Sequence, residues 1–201
     1  MKIIYYLILL LVLLSACLPS NKKLPIIGIP TIENSDTTWP AIRDFSFIDQ
    51  DSQIITQDVF ANKIYVADFF FTSCPTICPG VTKQMLKIHD RFKDDDRVLL
   101  LAHTIDPKRD NVSKLHQYAS NLQVSSSKWH FVTGDKSALY GIARDYMSAV
   151  MEDESLPGGF DHSGRIILVD KNRHVRSFAN GTDPKDVDRL IKDIDLLLNE
   201  Y

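Results

Sequence analysis

The stretch KIYVADFFFTSCPTICPGVTKQM, residues 63–85, joins a nearly unbroken apolar run to two cysteines and then to an amphipathic segment. Such an apolar run is typical of a strand that is buried on both faces of a sheet covered by helices. From Pro79 onward, apolar residues recur at helical spacing, which predicts a helix. Cys74 and Cys78 therefore lie where a buried strand gives way to a helix.

Strands and helices alternate along the rest of the chain. Residues 45–56 alternate apolar and polar side chains and predict a short hairpin. Further strands are predicted at residues 97–105, 128–134, 165–170 and 174–179, and further helices at residues 111–122, 135–150 and 183–201. This order predicts an α/β three-layer sandwich. With a cysteine pair at the exit of the first buried strand, the expected architecture is the thioredoxin-like fold.

The N-terminus is expected to lie outside this domain. Residues 3–14 form an apolar stretch that is too short to span a bilayer comfortably, and LSAC follows, ending at Cys17. The ending resembles the lipobox of bacterial lipoproteins, which predicts a signal peptide at residues 1–16 and a lipid on Cys17. The alternative is an uncleaved anchor helix. Residues 17–40 are rich in proline and small polar residues and predict a flexible tether, so the domain is expected over residues 41–201.

Composition limits the function further. The chain has 201 residues and a formal net charge of -3, and its basic residues are scattered without an aromatic–basic stripe. These features argue against a nucleic-acid partner. A lipoprotein signal predicts a bacterial cell-envelope protein, anchored in a membrane and facing the extracytoplasmic space. Of three cysteines, lipidation of Cys17 leaves Cys74 and Cys78, which can form a disulfide in an oxidising compartment.

The spacing of Cys74 and Cys78 suits two chemistries. Residues four apart on one helix face lie about 6 Å apart, close to the upper limit for a disulfide. When both cysteines are reduced, their sulfurs can coordinate one soft metal ion, and Cu(I) is the softest common one. The start of a helix also favours the thiolate.

A third copper ligand should be a histidine. His162 is favoured among six histidines because it follows the flexible Gly158–Gly159 and directly precedes a predicted strand. In a thioredoxin fold, the loop before that strand faces the cysteine helix. His103, at the end of the second buried strand, is the second choice. The others, for which surface or core roles are expected, are His89, His116, His130 and His174.

Four segments, FTSCPTICP, IDPKRDN, WHFVTG and DHSGRIILVD, resemble the Sco/SenC family in their order and spacing. The resemblance covers essentially all of residues 41–201. It implies a membrane-tethered thioredoxin-fold protein that binds copper, as Cu(I) or Cu(II), through Cys74, Cys78 and His162. The implied partner is the copper-receiving subunit of cytochrome c oxidase, or another copper or thiol protein. A lipid on Cys17 would replace the family's transmembrane anchor.

Asp68 lies in the predicted buried strand, six residues before Cys74. Thioredoxins have a buried Asp at the same distance from their first cysteine, where it helps to move a proton during disulfide exchange. Burial should raise the pKa of this carboxyl, which makes Asp68 a candidate proton relay. The alternative is a strand-end Asp bonded to neighbouring backbone.

Other residues near these motifs have more ordinary interpretations. Asp106 is expected to form a turn that also lies near the site. Met147 and Met151 could be extra soft ligands, but their four-residue spacing on a predicted helix favours core packing.

Three function classes follow from these residues. The first is a copper metallochaperone, which CxxxC spacing and His162 favour. The alternative is a thiol–disulfide reductase that keeps target cysteines reduced, which Asp68 favours. A peroxidase of the peroxiredoxin type would need a Thr/Arg constellation, and none is evident around Cys74.

Overall fold

The structure is a computed structural model, and it describes residues 23–201 apart from the side chain of His162. The predicted signal peptide and Cys17 lie outside the described residues. Along the described chain, no helix is both long enough and apolar enough to cross a membrane.

A seven-stranded sheet lies at the centre of the fold. The described chain has eleven strands, of which seven form this sheet and four form two separate hairpins. They are β1 (Thr31–Glu33), β2 (Asp36–Thr38), β3 (Ser46–Asp49), β4 (Ile54–Thr56), β5 (Ile64–Phe70), β6 (Val98–Thr104), β7 (Trp129–Thr133), β8 (Val150–Glu152), β9 (Phe160–His162), β10 (Arg165–Val169) and β11 (Val175–Asn180). The central sheet has the order β11-β10-β5-β6-β7-β3-β4, while β1 pairs with β2 and β8 with β9. Strands β5, β6 and β7 run parallel, with Asp68 opposite Ala102. Their carboxyl ends therefore meet at one edge of the sheet.

Helices cover both faces of this sheet. They are α1 (Cys78–Phe92), α2 (Val112–Leu122), α3 (Lys136–Ala143) and α4 (Pro184–Leu198), and a short 3-10 helix covers Gln57–Phe60. On one face, Tyr118 of α2 packs on Phe70 of β5, with ring centroids 5.4 Å apart. Helix α1 joins α4 through ion pairs such as Arg91–Asp195 at 3.0 Å.

The opposite face holds an aromatic cluster. Tyr146, just after α3, packs on Phe69, and its hydroxyl lies 3.0 Å from the hydroxyl of Tyr65. Phe69 and Tyr65 alternate along β5 with the side chains that face α2, since successive strand residues point to opposite faces. Helices on both faces of the central sheet confirm the predicted three-layer, thioredoxin-like architecture.

Residues 24–27 pack on the domain, although the sequence places them in the tether. The Ile27 N–H donates to the Val175 carbonyl at 2.8 Å, so the segment is held against β11 at the edge of the sheet. The Arg176 guanidinium donates to the Leu24 carbonyl. The packed part of the chain therefore begins before the predicted boundary near Ala41.

Arg176 holds this contact through a buried ionic network. Its guanidinium lies 3.0 Å from the carboxylate of Asp170 and 2.8 Å from that of Glu200. All three side chains are almost fully shielded from solvent. Buried charges of this kind are tolerated only when each one is paired.

The segment after α3 differs from the prediction. The helix ends at Ala143, not at residue 150, and the hairpin β8–β9 follows, which the sequence did not indicate. Met147 has a φ of 54° and Met151 lies on β8, where it is 60% exposed. The predicted helical pairing of the two methionines is wrong, and Met151 is not a core residue.

Candidate thiol and metal site

The two cysteines lie at the carboxyl edge of the parallel strands. Strand β5 ends at Phe70, Cys74 lies in the following loop, and Cys78 is the first residue of α1. Both side chains are buried thiols, 8% and 4% exposed. The Cys78 N–H donates to the Cys74 sulfur at 3.4 Å, and the Thr76 hydroxyl lies 3.6 Å from the same sulfur. Only Cys78 is helical, so the separation expected for two residues on one helix face does not apply.

The two thiols differ in acidity. Burial opposes ionisation of Cys74, but hydrogen bonds from the Cys78 thiol and from the backbone of Thr76 and Cys78 outweigh it, so the pKa of Cys74 is lowered. Burial raises the pKa of Cys78 far above its ordinary value, and its hydrogen bond to Cys74 raises it further. The helix start therefore favours the thiolate at Cys74 alone, because it is the Cys74 sulfur that accepts the amide.

Asp68 is buried on the face of β5 that also carries Phe70, towards α2. Burial raises the pKa of its carboxyl to about 7. One carboxyl oxygen makes no hydrogen bond to any residue that the structure describes. Its charge also opposes ionisation of Cys78. The proton-relay role expected for Asp68 stays a prediction, and the raised pKa of its carboxyl is the property that such a role requires.

The residues just before His162 pack against the loop between β5 and α1, residues 71–77, which we call the cysteine loop. Backbone pairing in the β8–β9 hairpin places His162 opposite Val150. The Phe160 ring lies 4.9 Å from the Phe71 ring, measured between centroids. A Cβ added at Gly158, whose φ is 91°, would lie 2.9 Å from the Phe71 ring. Only glycine allows so close an approach with this backbone conformation.

A second contact follows His162. Gly164 has a φ of 58°, and a Cβ added there would lie 2.9 Å from the Ile77 side chain, which sits between the two cysteines in sequence. The backbone of His162 is thus flanked on both sides by contacts to the cysteine loop. Within the described side chains, which omit the His162 imidazole, no three His, Cys, Asp or Glu residues are grouped to hold a metal.

His103, the second choice from the sequence, lies away from this site. Its ring stacks on Phe69 with centroids 4.8 Å apart, on the face of the sheet opposite Asp68. Burial lowers the pKa of its imidazole to about 3, so the ring is neutral. His103 is therefore a core residue.

The two methionines line a groove next to the His162 hairpin. Met147, Met151 and Asp161 contribute to its wall. They lie beside the candidate site but are separate from the cysteine loop, which has its own groove of about 310 Å³ lined by both cysteines. Both cysteines therefore line a surface groove, although little of either side chain is exposed.

The IDPKRDN segment supplies contacts that sequence reasoning missed. Asp106 forms the predicted turn, since its carbonyl accepts the Arg109 and Asp110 amides at 3.1 and 2.9 Å. Asp110 is fully buried and accepts hydrogen bonds from Thr72 and Thr104. Thr72 lies two residues before Cys74. The motif was visible in the sequence, but nothing in the sequence linked Asp110 to the cysteine loop.

The family is evident from comparison with known proteins. A family model described as SCO1/SenC matches residues 34–199. The crystal structure of a SCO1/SenC family lipoprotein from Bacillus anthracis has 26% sequence identity and a TM-score of 0.72, and the match covers 79% of this chain and 95% of that one.

Two further solved structures are similar. Arabidopsis thaliana ScoI with copper bound has 26% identity and a TM-score of 0.67, over 80% of this chain and 100% of that one. BsSco, whose structure identified a disulfide switch, is a member of the Sco family of cytochrome c oxidase assembly proteins. It has 25% identity and a TM-score of 0.69, over 86% of this chain and 98% of that one.

Proposed function

The chain belongs to the SCO1/SenC family, and on that basis we propose that it is a membrane-anchored copper metallochaperone that assists assembly of the copper centre of cytochrome c oxidase. The observation that carries the proposal is the pair of buried cysteines that line one groove, with the His162 segment packed against their loop. A similar protein, ScoI of Arabidopsis thaliana, has been solved with copper bound. Copper is the cargo, and Cys74, Cys78 and His162 are the proposed ligands.

The unequal thiols suggest an order of events. Cys74, with its lowered pKa, offers the sulfur that captures the ion first. Cys78 keeps its proton until an ion bound nearby makes the thiolate favourable, because metal coordination deprotonates a thiol. Two thiolates satisfy Cu(I), and the imidazole of His162 adds the harder donor that Cu(II) prefers.

The proposed target is a copper-receiving subunit of cytochrome c oxidase, or another copper or thiol protein. The proposed location is the extracytoplasmic side of a bacterial membrane, with a lipid on Cys17. Feeding cells a fatty-acid analogue should label the wild type and leave Cys17→Ala unlabelled. A labelled Cys17→Ala variant would rule out this anchor.

Copper titration of the reduced, detergent-solubilised chain tests the proposal. We expect one copper per chain, measured for Cu(I) against a chelator of known affinity. Cys74→Ala and Cys78→Ala should both lose tight binding, because each leaves one thiolate. The oxidised protein should take up no copper, since a disulfide has no thiolate to offer. Uptake by the oxidised protein would contradict a two-thiolate site.

A second candidate function is thiol–disulfide reduction, and Asp68 is the observation that favours it. A reductase needs an acidic attacking thiol and a route for a proton, which Cys74 and Asp68 together provide. It does not need His162. In the host, His162→Ala should therefore lower oxidase activity about as much as Cys74→Ala if copper delivery is the function. Full activity in His162→Ala, with loss in a folded Asp68→Asn, would identify a reductase.

A further inference from the structure

Asp110 ties the cysteine loop to the sheet through three hydrogen bonds. Its carboxylate accepts the Thr72 N–H at 3.0 Å, the Thr72 hydroxyl at 2.5 Å and the Thr104 hydroxyl at 2.7 Å. Asp110 and Thr104 are both completely buried. The Asp110 amide is itself fixed, since it donates to the Asp106 carbonyl at 2.9 Å.

Two of the three bonds hold one residue, Thr72. Its backbone and its side chain are both fixed, at the point where the chain has left β5 and is two residues from Cys74. Hydrogen bonds to a buried charged acceptor are among the stronger ones in proteins. The backbone of Cys74 is also fixed within this loop, because the Cys74 amide donates to the Phe71 carbonyl at 3.2 Å.

We propose that Asp110 is a positioning residue that, through Thr72, fixes Cys74 relative to Cys78. Cys78 needs no such hydrogen bonds to the sheet, since its backbone is already held as the first residue of α1. Fixing Cys74 raises the effective concentration of its sulfur at Cys78, and therefore stabilises any state in which both sulfurs act together. Those states are the disulfide and, resting on the proposed function, the copper complex.

A purely structural role for Asp110 would be to join the ends of β5 and β6. The chain offers a matched comparison that separates the two roles. Thr72→Val and Thr104→Val each delete one hydroxyl that donates to Asp110, but only Thr72 lies in the cysteine loop. The Thr104 hydroxyl also accepts the Asp106 amide at 3.0 Å, so Thr104→Val disturbs the Asp106–Asp110 turn at least as much. A structural role predicts that Thr104→Val affects the cysteine pair at least as much as Thr72→Val does, whereas a positioning role predicts an effect of Thr72→Val alone.

The test uses the full chain in detergent, without metal, equilibrated with reduced and oxidised glutathione. The two thiols reduce one oxidised glutathione to two reduced molecules as the protein disulfide forms, so the equilibrium constant reports how well the sulfurs are placed. For Thr72→Val we expect a disulfide about tenfold less stable than in wild type, the factor for loss of one strong hydrogen bond. The disulfide stability of Thr104→Val should stay within about twofold of the wild-type value. Thr72→Ser keeps the hydroxyl, so its disulfide should be as stable as that of the wild type.

A shift in Thr104→Val as large as that in Thr72→Val or larger, or no shift in either variant, would overturn the proposal. If Thr72→Val does not fold, Asp110→Asn replaces it, because the amide keeps the shape and weakens the acceptor. It should shift the equilibrium in the same direction. Cu(I) affinity should fall in parallel with disulfide stability. If the wild type binds no copper, the proposed function fails, while the glutathione equilibrium still decides the role of Asp110.

Discussion

Asp68→Asn should change how the stability of the reduced, metal-free protein depends on pH. The side chain is 3% exposed, and burial raises its pKa from 3.8 to about 7. In the unfolded chain the carboxyl ionises near its ordinary value. Between these two pKa values the folded state holds a proton that the unfolded state has lost.

The direction and size of the change in the free energy of unfolding follow from this difference in pKa. Below pH 3.8 both states are protonated, and burying Asp68 carries no ionic penalty. As pH rises towards 7, the unfolded state gains stability by ionising and the folded state does not, so the free energy of unfolding falls. Each pH unit is worth about 1.4 kcal/mol, so the loss reaches about 4 kcal/mol by the folded pKa and is constant above it.

Asn has no proton to lose, so the free energy of unfolding of Asp68→Asn should not fall in this way as pH rises. Urea denaturation at pH 5 and pH 8 should show the variant gaining about 3 kcal/mol relative to wild type over that interval. Asp135→Asn is the matched control. The pKa of the exposed Asp135 is lowered by the Ser137 hydroxyl and helix amides, so its difference from wild type should be flat above pH 5. If the difference in the free energy of unfolding between Asp68→Asn and wild type is also the same at pH 5 and pH 8, the wild type has no buried carboxyl at position 68 that titrates near neutrality.

Three further outcomes are expected. His162→Ala should weaken Cu(II) binding far more than Cu(I) binding, as two thiolates still hold Cu(I); an unchanged Cu(II) spectrum would remove His162 from the ligand set. Brief iodoacetamide treatment of the reduced native protein should label Cys74 well before Cys78 in peptide mass spectra, and equal labelling would contradict their unequal acidity. Arg176→Met should lower the free energy of unfolding by about 3–5 kcal/mol, because two buried carboxylates lose their partner, and a neutral result in urea denaturation would refute that network.

The sequence predicted the fold well where the periodicity was long and simple. Strand β5 is buried along its whole length, as its apolar run indicated, and α1 begins one residue before the predicted helix. Prediction failed after Ala143, where apolar residues continue at helical spacing but the chain turns through a positive φ at Met147. The hairpin that follows has three-residue strands, too short to leave a periodic pattern.

The candidate site was only partly accessible from sequence. Cysteine spacing identified the thiols, and Asp68 was noted from its position alone. The acidity of the thiols could not be predicted, since it depends on which sulfur accepts the helix amide, and that follows from Cys74 lying just outside α1. Asp110 was missed because its contact with Thr72 joins residues 38 apart in the chain.

The asymmetry of the cysteines explains how one site could serve both copper and disulfide chemistry. In disulfide exchange the attacking thiol must be ionised, and the second thiol must then give up its proton to close the disulfide. The lowered pKa of Cys74 favours the first step, and the buried carboxyl of Asp68, which interacts electrostatically with Cys78, is the proposed acceptor of the Cys78 proton. Copper capture makes the same demands in sequence, because the first sulfur must be available and the second must give up its proton when the ion arrives. The histidine segment is the part that disulfide exchange does not need. Two glycines, Gly158 and Gly164, bring this segment against the cysteine loop, and they are therefore the structural feature that supports the proposed copper delivery over simple exchange.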